Sequence, residues 1–140
     1  MRYLIDTNIF LYSTIDIEIL NNDIRQILDD YHNTFYISAE SVKELILFYR
    51  KQKNKTKYWK NETDLVLSIE SDYGIKILPV KKEHLVTYAG LTLNEAQDHR
   101  DPSDHIIISQ AITERMPLIS SDRKFHFYTK QTLNFIYNER

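Results

Sequence analysis

Four acidic residues of this 140-residue sequence lie near apolar segments, and together they could bind a metal ion. They are spread over the whole chain: Asp6, Glu44, Asp104 and Asp122. Carboxylate oxygens are hard ligands of the kind that Mg²⁺ and Mn²⁺ prefer. The sequence has no cysteine, which excludes thiolate sites, and its five histidines form no His-x-x-x-His pair of the zinc type. A shared site for these acids therefore predicts Mg²⁺ or Mn²⁺ as the cofactor.

Each acid also has an interpretation that needs no metal. Asp6 and Asp122 precede stretches in which a carboxylate can cap a helix or close a turn. Glu44 can be a solvated acid on a helix surface. Glu40, one helical turn earlier on nearly the same face, can interact with the dipole at the start of that helix. Both interpretations stay open for the single residues, and the case for a metal site rests on the set.

The segment R-D-P-S-D-H-I-I-I contains two acids with different expected roles. Asp101 precedes a proline and is predicted mainly to cap a helix that begins at Pro102. Asp104 shares a helix face with three apolar residues: Ile107, Ile108 and Ala111. A carboxylate on a core-facing stripe is unfavourable unless a partner satisfies it, so Asp104 is the ligand candidate and Asp101 the alternative. His105 is expected to be a hydrogen-bonding surface residue.

Alternating strands and helices would bring these acids together. Strands are predicted at residues 2–6, 34–38, 75–80 and 117–120, with a fifth candidate at 133–137. Helices are predicted at residues 16–31, 39–53, 57–72, 82–93 and 102–115. This alternation predicts an α/β fold, a three-layer α/β/α sandwich with a central parallel sheet of four to five strands. Ligand sites in such folds lie beyond the carboxyl ends of the strands, where the four acids are expected.

Length and composition are typical of one globular domain spanning residues 1–140, with 42% hydrophobic and 27% charged residues. The chain lacks the run of roughly 18 apolar residues that a membrane span needs, and we expect no membrane partner. The N-terminal residues lack the pattern of a secretion signal, so we expect no secretion, and the lack of cysteine fits a reducing cytoplasm; we therefore expect a cytoplasmic protein. The net charge of −2 neither indicates nor forbids nucleic-acid binding.

With the four acids in place, the sequence resembles PIN-domain ribonucleases, and specifically the VapC-type toxins of bacterial toxin–antitoxin systems. The resemblance spans nearly the whole chain. It is carried by Y-L-I-D-T-N-I-F-L, Y-I-S-A-E-S-V-K-E-L, R-D-P-S-D-H-I-I-I-S-Q-A and M-P-L-I-S-S-D-R-K-F. Each segment is weakly specific alone, whereas their order and spacing together are strongly specific.

The resemblance implies an acidic pocket that holds one or two Mg²⁺ or Mn²⁺ ions and hydrolyses RNA phosphodiesters with metal-activated water. In that pattern the four acids are catalytic and metal-binding, and Asn8 and Ser120 are polar helpers. The family's acid on this helix is followed by leucine, so the pair Glu44-Leu45 assigns that acid to Glu44 rather than Glu40. His105 stands where the family more often has arginine, and Ser120 replaces a frequent threonine. The resemblance also implies a homodimer and a cognate antitoxin protein that inserts a segment into the acidic groove.

Basic residues offer candidate contacts to an RNA substrate. Residues 50–60 form a basic run with two aromatic residues, Tyr58 and Trp59. It can bind phosphates and stack bases, or it can be a solvated connection whose aromatic residues pack inward, which we favour for Trp59. The candidate RNA-binding residues are Lys51, Lys53, Lys55, Lys57, Arg123 and Lys124.

Two other functions compete with a ribonuclease. One is a non-catalytic PIN-like module that binds RNA or protein. The other is an Mg²⁺-dependent phosphohydrolase of the haloacid dehalogenase type, which also begins with a strand and an aspartate. That family expects a second aspartate two residues after the first, where this chain has Asn8.

Overall fold

A five-stranded parallel sheet forms the centre of the computed structural model, which describes residues 1–52 and 57–140. The strands are β1 Arg2–Ile5, β2 Thr34–Ser38, β3 Lys76–Leu78, β4 Leu118–Ser120 and β5 Phe135–Tyr137. Their order is β3-β2-β1-β4-β5, and every neighbouring pair is parallel. The predicted strands and the predicted parallel sheet are confirmed, including the fifth strand.

Helices connect the strands. The α-helices of the described residues are α1 Thr7–Ile15, α2 Asn22–Asp29, α3 Ala39–Gln52, α4 Glu62–Ser71, α5 Lys82–Ala89 and α6 Pro102–Glu114. Segments of 3₁₀-helix lie at Ile17–Ile19, Glu95–Gln97 and Arg123–Gln131. No helix among the described residues is long and apolar enough to cross a membrane.

The residues at the helix ends explain why several helices differ from the sequence prediction. The prediction of one helix over residues 16–31 was wrong, because the extended backbone of Leu20 and Asn21 separates the 3₁₀ segment Ile17–Ile19 from α2. Helix α1, which Asp6 caps, lies before the predicted range. The helix predicted from residue 57 begins only at Glu62, because the Asn61 side chain accepts a hydrogen bond from the Asp64 N–H. Helix α5 ends before Gly90, four residues sooner than predicted.

Side chains alternate between two cores on the opposite faces of the sheet. Tyr3 and Ile5 of β1 face a core that includes buried residues of α1, α2, α3 and α4. Leu4, between them, faces a second core with buried residues of α6 and of the segment Arg123–Gln131. The predicted three-layer α/β/α sandwich is therefore confirmed.

The order of connections defines where a ligand site is expected. The chain moves outward from β1 to β2 and β3, then returns to place β4 on the other side of β1. The strand order therefore reverses between β1 and β4. In open parallel sheets the crevice beyond the carboxyl ends of the strands at such a reversal is the usual ligand site. Asp6 directly follows β1, and Asp122 lies two residues beyond β4.

Candidate functional site

Asp6 is buried at the end of β1, with only 6% of its surface exposed. Its Oδ1 accepts a hydrogen bond from the Thr7 N–H at 2.8 Å, and its Oδ2 accepts one from the Ser120 hydroxyl at 2.8 Å. The first bond makes Asp6 the N-cap of α1, so the capping role considered from the sequence is present. Burial, followed by the negative charge of Asp104, raises the pKa of Asp6 from 3.8 to about 7.

Ser120 joins the two strands that flank the reversal. It is fully buried at the end of β4, where its hydroxyl donates to Asp6 and accepts a hydrogen bond from the Asp122 N–H at 3.1 Å. Asp122 in turn caps the segment Arg123–Gln131 by accepting a hydrogen bond from the Lys124 N–H at 2.9 Å. The structure thus brings Asp6 and Asp122 to one serine, whose helper role stays a prediction.

Thr7 links Asp6 to Glu44, a contact that sequence reasoning missed. The Thr7 hydroxyl donates to Glu44 Oε1 at 2.8 Å while its backbone N–H donates to Asp6. Glu44 is partly buried, and this burial raises its pKa, with the charges of Asp104 and Asp101 acting in the same direction. The available signal was the threonine of D-T-N, which was considered only as part of a helix start.

Glu40 links two helices, and Asp101 caps one of them. Glu40 Oε1 accepts hydrogen bonds from the Lys43 ammonium group and the Ser103 hydroxyl, both at 3.2 Å, which connects α3 to α6. Asp101 is the N-cap of α6 and accepts a hydrogen bond from the Ser103 N–H at 2.9 Å. The predicted capping role of Asp101 is confirmed, and its charge also raises the pKa of Asp104.

Asp104 lies in the first turn of α6 and is paired with a histidine that the sequence analysis did not select. His99 Nε2 is 3.0 Å from Asp104 Oδ2. Ligand atoms of His99, Asp104 and Asp122 all lie within 4.8 Å of one another. Burial raises the pKa of Asp104, and the charges of Asp101 and Asp122 add to this effect.

The expected surface position of His105 was wrong. This histidine is only 2% exposed, and its Nε2 lies 2.9 Å from the His99 carbonyl oxygen. Because a carbonyl oxygen only accepts hydrogen bonds, the His105 Nε2–H is the donor. The predicted hydrogen-bonding role is thus present, but it is made inside the protein.

The electrostatics of the site fit a divalent cation. The pKa values of Asp6, Glu44 and Asp104 are all raised, first by burial and then by the negative charge of their neighbours. Carboxylates in such a position repel one another when ionised, and a bound cation would remove that repulsion. The donor set of hard carboxylate oxygens suits Mg²⁺ or Mn²⁺. Asp104 and Asp122 could hold the ion, because their ligand atoms lie together with that of His99. Asp6 and Glu44 are further candidates, because the charge of Asp104 acts on both.

A cleft of about 760 Å³ begins at Asp122, the one member of the four acids that lines it, and we call it the C-terminal cleft. Asn8, which is exposed, and Asp122 both line it. Its other lining residues include three basic side chains and an aromatic one: Arg123, Lys124, Arg140 and Tyr137. Arg123 and Lys124 thus lie where they could contact a nucleic acid that reaches the acids.

The other candidate RNA-binding residues lie farther away. Lys51 is exposed in the last turn of α3, about 10 Å beyond Glu44 along the helix axis. Lys57 is also exposed, and Lys53 and Lys55 lie outside the described residues. Trp59 is buried, and its indole N–H donates to the Ser68 hydroxyl at 3.0 Å, which confirms its inward packing. RNA binding by the lysines stays a prediction.

The fold and the acids together define the class of this protein: it is an α/β protein with acidic residues grouped where the strand order of a parallel sheet reverses. The family model described as PIN domain matches residues 3–130, and the chain belongs to this family. Because the chain belongs to the PIN-domain family, the alternative of a haloacid-dehalogenase-type phosphohydrolase is dropped. No curated protein sequence matches this chain with significance.

Solved structures share the fold at low identity. A chain in the crystal structure of VapBC2 from Rickettsia felis bound to a promoter DNA fragment is 22% identical, with a TM-score of 0.72 over 99% of this chain and 100% of that chain. For VapBC-1 from nontypeable Haemophilus influenzae the identity is 20% and the TM-score 0.66, over 98% of each chain. For FitAcB from Neisseria gonorrhoeae the identity is 20% and the TM-score 0.63, over 99% of this chain and 97% of that chain.

Proposed function

We propose that this protein is a Mg²⁺- or Mn²⁺-dependent endoribonuclease and the toxin of a toxin–antitoxin pair. The observation that carries the proposal is the grouping of Asp6, Glu44 and Asp104 at the reversal of the sheet of a PIN domain, where the charge of Asp104 raises the pKa of both Asp6 and Glu44. Asp122 completes the set from the end of β4. The proposed reaction is the hydrolysis of an RNA phosphodiester bond.

The chain's own residues would divide the work of the site. A bound divalent ion supplies Lewis-acid chemistry, because it activates water and stabilises the charge on the leaving oxygen. Asp6 is held in one orientation by Thr7 and Ser120, so its carboxylate is fixed for binding before the ion arrives. Glu44 has one oxygen engaged by Thr7, and its other oxygen is the candidate for accepting a proton from the attacking water. Asp104 and Asp122 would complete the ion's oxygen ligands.

The C-terminal cleft is the proposed path of the RNA strand. Arg123 and Lys124 directly follow Asp122 and line the cleft with it, so a phosphate bound by them would lie beside Asp122. Asn8 lines the same cleft and can contact a bound nucleotide through its amide. The protein itself has a net charge of −2, so local basic side chains must supply the attraction for RNA.

Substitution of Arg123 and Lys124 by alanine is predicted to weaken RNA binding without removing the metal site. Each lost phosphate contact should lower the slope of log affinity against log salt by about 0.7, which corresponds to about 5-fold weaker binding near 0.1 M salt. Fluorescence anisotropy of a labelled single-stranded RNA measures this. All proteins in this measurement also carry Asp104→Asn, because we expect this substitution to prevent cleavage of the RNA.

Lys130→Ala is the matched control for this measurement. Lys130 is exposed in the same segment, Arg123–Gln131, but it does not line the cleft. We expect it to leave the affinity and the salt slope unchanged. Equal effects of Lys130→Ala and the cleft substitutions would contradict a specific path through the cleft and indicate a general effect of surface charge.

A toxin of this class acts with partners. The similar structures are of VapBC and FitAcB proteins, and another is described as a toxin–antitoxin complex from Klebsiella pneumoniae. By analogy we propose a cognate antitoxin that covers the acidic groove, a homodimer in solution, and a cytoplasmic location where RNA is available. Light scattering of the purified chain, alone and with the product of a neighbouring gene, tests the first two proposals.

The direct test of the function is cleavage of a mixture of tRNA and rRNA by antitoxin-free protein. We expect cleavage with Mg²⁺ or Mn²⁺, no cleavage with chelator, and fragments that carry a 5′-phosphate. Cleavage that resists the chelator would contradict a metal-dependent site. Metal binding without cleavage of any RNA in the mixture would favour the non-catalytic binding module instead.

A further inference from the structure

A row of three hydrogen bonds, two buried and the last partly buried, leads from the loop before α6 to the carboxylate of Asp104. The Asn94 N–H lies 3.1 Å from the Tyr128 hydroxyl oxygen, and that hydroxyl lies 2.9 Å from His99 Nδ1. The row ends at the 3.0 Å contact between His99 Nε2 and Asp104 Oδ2. Tyr128 is fully buried, and His99 is 4% exposed.

The direction of these hydrogen bonds follows from the donors available. The Asn94 N–H can only donate, so the Tyr128 oxygen accepts and its own hydrogen is free to point at His99 Nδ1. His99 Nδ1 then accepts, so the N–H of the imidazole is on Nε2, where it is donated to Asp104. With the proton on Nδ1, the hydroxyl hydrogen of Tyr128 would need a third partner, and the described residues place none there. A buried unsatisfied donor of this kind is unfavourable.

We infer that His99 is a positioning residue for the metal site: its Nε2–H holds Asp104 Oδ2 so that Oδ1 is presented to the ion. This inference rests on the proposed function and assigns a role to a residue outside the four acids. Carboxylate ligands that are fixed by a hydrogen bond from the protein are pre-oriented, and loss of such a partner typically weakens metal binding by 10- to 100-fold.

The position of His99 is itself fixed from several sides. Its carbonyl oxygen accepts the His105 Nε2–H at 2.9 Å. Its ring makes an edge-to-face contact with His105 at a centroid distance of 4.8 Å and packs against Phe125 at 5.5 Å. The adjacent Asn94 side chain donates to the Lys124 carbonyl oxygen at 3.2 Å. The donor that faces Asp104 therefore belongs to a buried side chain that is held by hydrogen bonds and ring contacts on several sides.

Direct ligation of the metal by His99 is the competing arrangement. It would need an unprotonated Nε2, since a ligating nitrogen must offer its lone pair. The ring would then carry its proton on Nδ1 and leave the Tyr128 hydroxyl hydrogen without its acceptor. It would also free Asp104 Oδ2 from its only donor among the described residues. The hydrogen bonds present favour donation to Asp104.

Two amide substitutions separate a donor at Nε2 from a side chain that merely fills space. In His99→Gln the amide nitrogen can take the place of Nε2 and still reach Asp104. In His99→Asn the shorter side chain reaches only the place of Nδ1 and loses the contact. Mn²⁺ titrations of the antitoxin-free protein, followed by the electron paramagnetic resonance signal of free Mn²⁺, give the affinity without any RNA. We expect His99→Asn to bind about 10- to 100-fold more weakly, and His99→Gln to keep most of the wild-type affinity.

His84→Asn is the matched control. His84 is fully buried, accepts the Lys81 N–H at 2.9 Å on Nδ1, and places Nε2 2.8 Å from Glu114 at the other end of α6. The same substitution there removes an equivalent contact about 15 Å from Asp104 and should leave Mn²⁺ affinity unchanged. Thermal unfolding of each variant checks that it is folded.

The outcomes distinguish the positioning role from the proposed function. Wild-type affinity in His99→Asn would overturn the positioning role while leaving a ribonuclease that binds Mn²⁺ and cuts RNA intact. Equal losses in His99→Asn and His99→Gln would overturn it in favour of direct ligation. Wild-type protein that binds no Mn²⁺ would overturn the proposed function, and the role of His99 with it.

Discussion

Replacement of Asp104 by asparagine is expected to abolish RNA cleavage while leaving the protein folded. Asparagine has nearly the same shape, and its carbonyl oxygen can still accept the His99 Nε2–H that now reaches Asp104 Oδ2 at 3.0 Å. The variant loses a negative charge that acts on Asp6 and Asp122, and with it the proposed metal ligand. Because metal-ion stabilisation of the transition state amounts to several kcal/mol, we expect a rate loss of about 100-fold or more.

Cleavage of a labelled RNA by wild type and variant, with saturating Mn²⁺, measures this loss. Asp101→Asn is the matched control, because Asp101 lies three residues earlier and caps α6 through the Ser103 N–H. Asparagine is as good an N-cap as aspartate, so this variant should stay folded and lose much less activity. Greater loss in Asp101→Asn than in Asp104→Asn would exchange the two assignments and make Asp101 the ligand.

The choice between Asp101 and Asp104 illustrates what sequence periodicity can provide. Asp104 shares a helix face with Ile107 and Ile108, and the structure buries both isoleucines in the second core. The periodicity therefore predicted that the Asp104 carboxylate would be partly buried, whereas Asp101, before a proline, was predicted to be a cap. Both expectations follow from local helix geometry, which depends on near neighbours in the chain.

His99 and Thr7 could not be selected in this way. His99 lies in a polar loop without periodicity, and its role depends on Tyr128, which is 29 residues away in a 3₁₀ segment that the sequence did not predict. Thr7 matters because its hydroxyl reaches Glu44, 37 residues away on α3. Such contacts are set by the packing of whole elements against one another. The positions of the acids at strand ends could be predicted, but the side chains that orient them could not.

The metal-free protein is expected to carry an electrostatic cost at Asp6 that grows with pH. The pKa of Asp6 is raised to about 7 in the fold, against 3.8 for an ordinary aspartate. Below about pH 4 the carboxyl group is protonated in both the folded and the unfolded chain, and it costs nothing. Between about pH 4 and 7 the unfolded chain releases this proton while the folded protein retains it, so stability falls as the pH rises. A shift of about three pKa units corresponds to roughly 4 kcal/mol, fully present above pH 7.

Asp6→Asn isolates this effect, because asparagine can keep the cap on α1 and cannot ionise. In chelator, the free energy of unfolding of Asp6→Asn relative to wild type should rise by several kcal/mol between about pH 4 and 8. Mn²⁺ should stabilise wild type at high pH, since an ion that binds only the folded state at 100 times its Kd adds about 2.7 kcal/mol.

Asp30→Asn is the control. Asp30 is exposed, and hydrogen bonds from His32 lower its pKa, whereas the pKa of Asp6 is raised. A constant difference between Asp6→Asn and wild type across this range would mean that Asp6 is ionised at little cost. The folded protein would then accommodate an ionised Asp6 without electrostatic cost. Asp6 would no longer support a cation site at the reversal of the sheet.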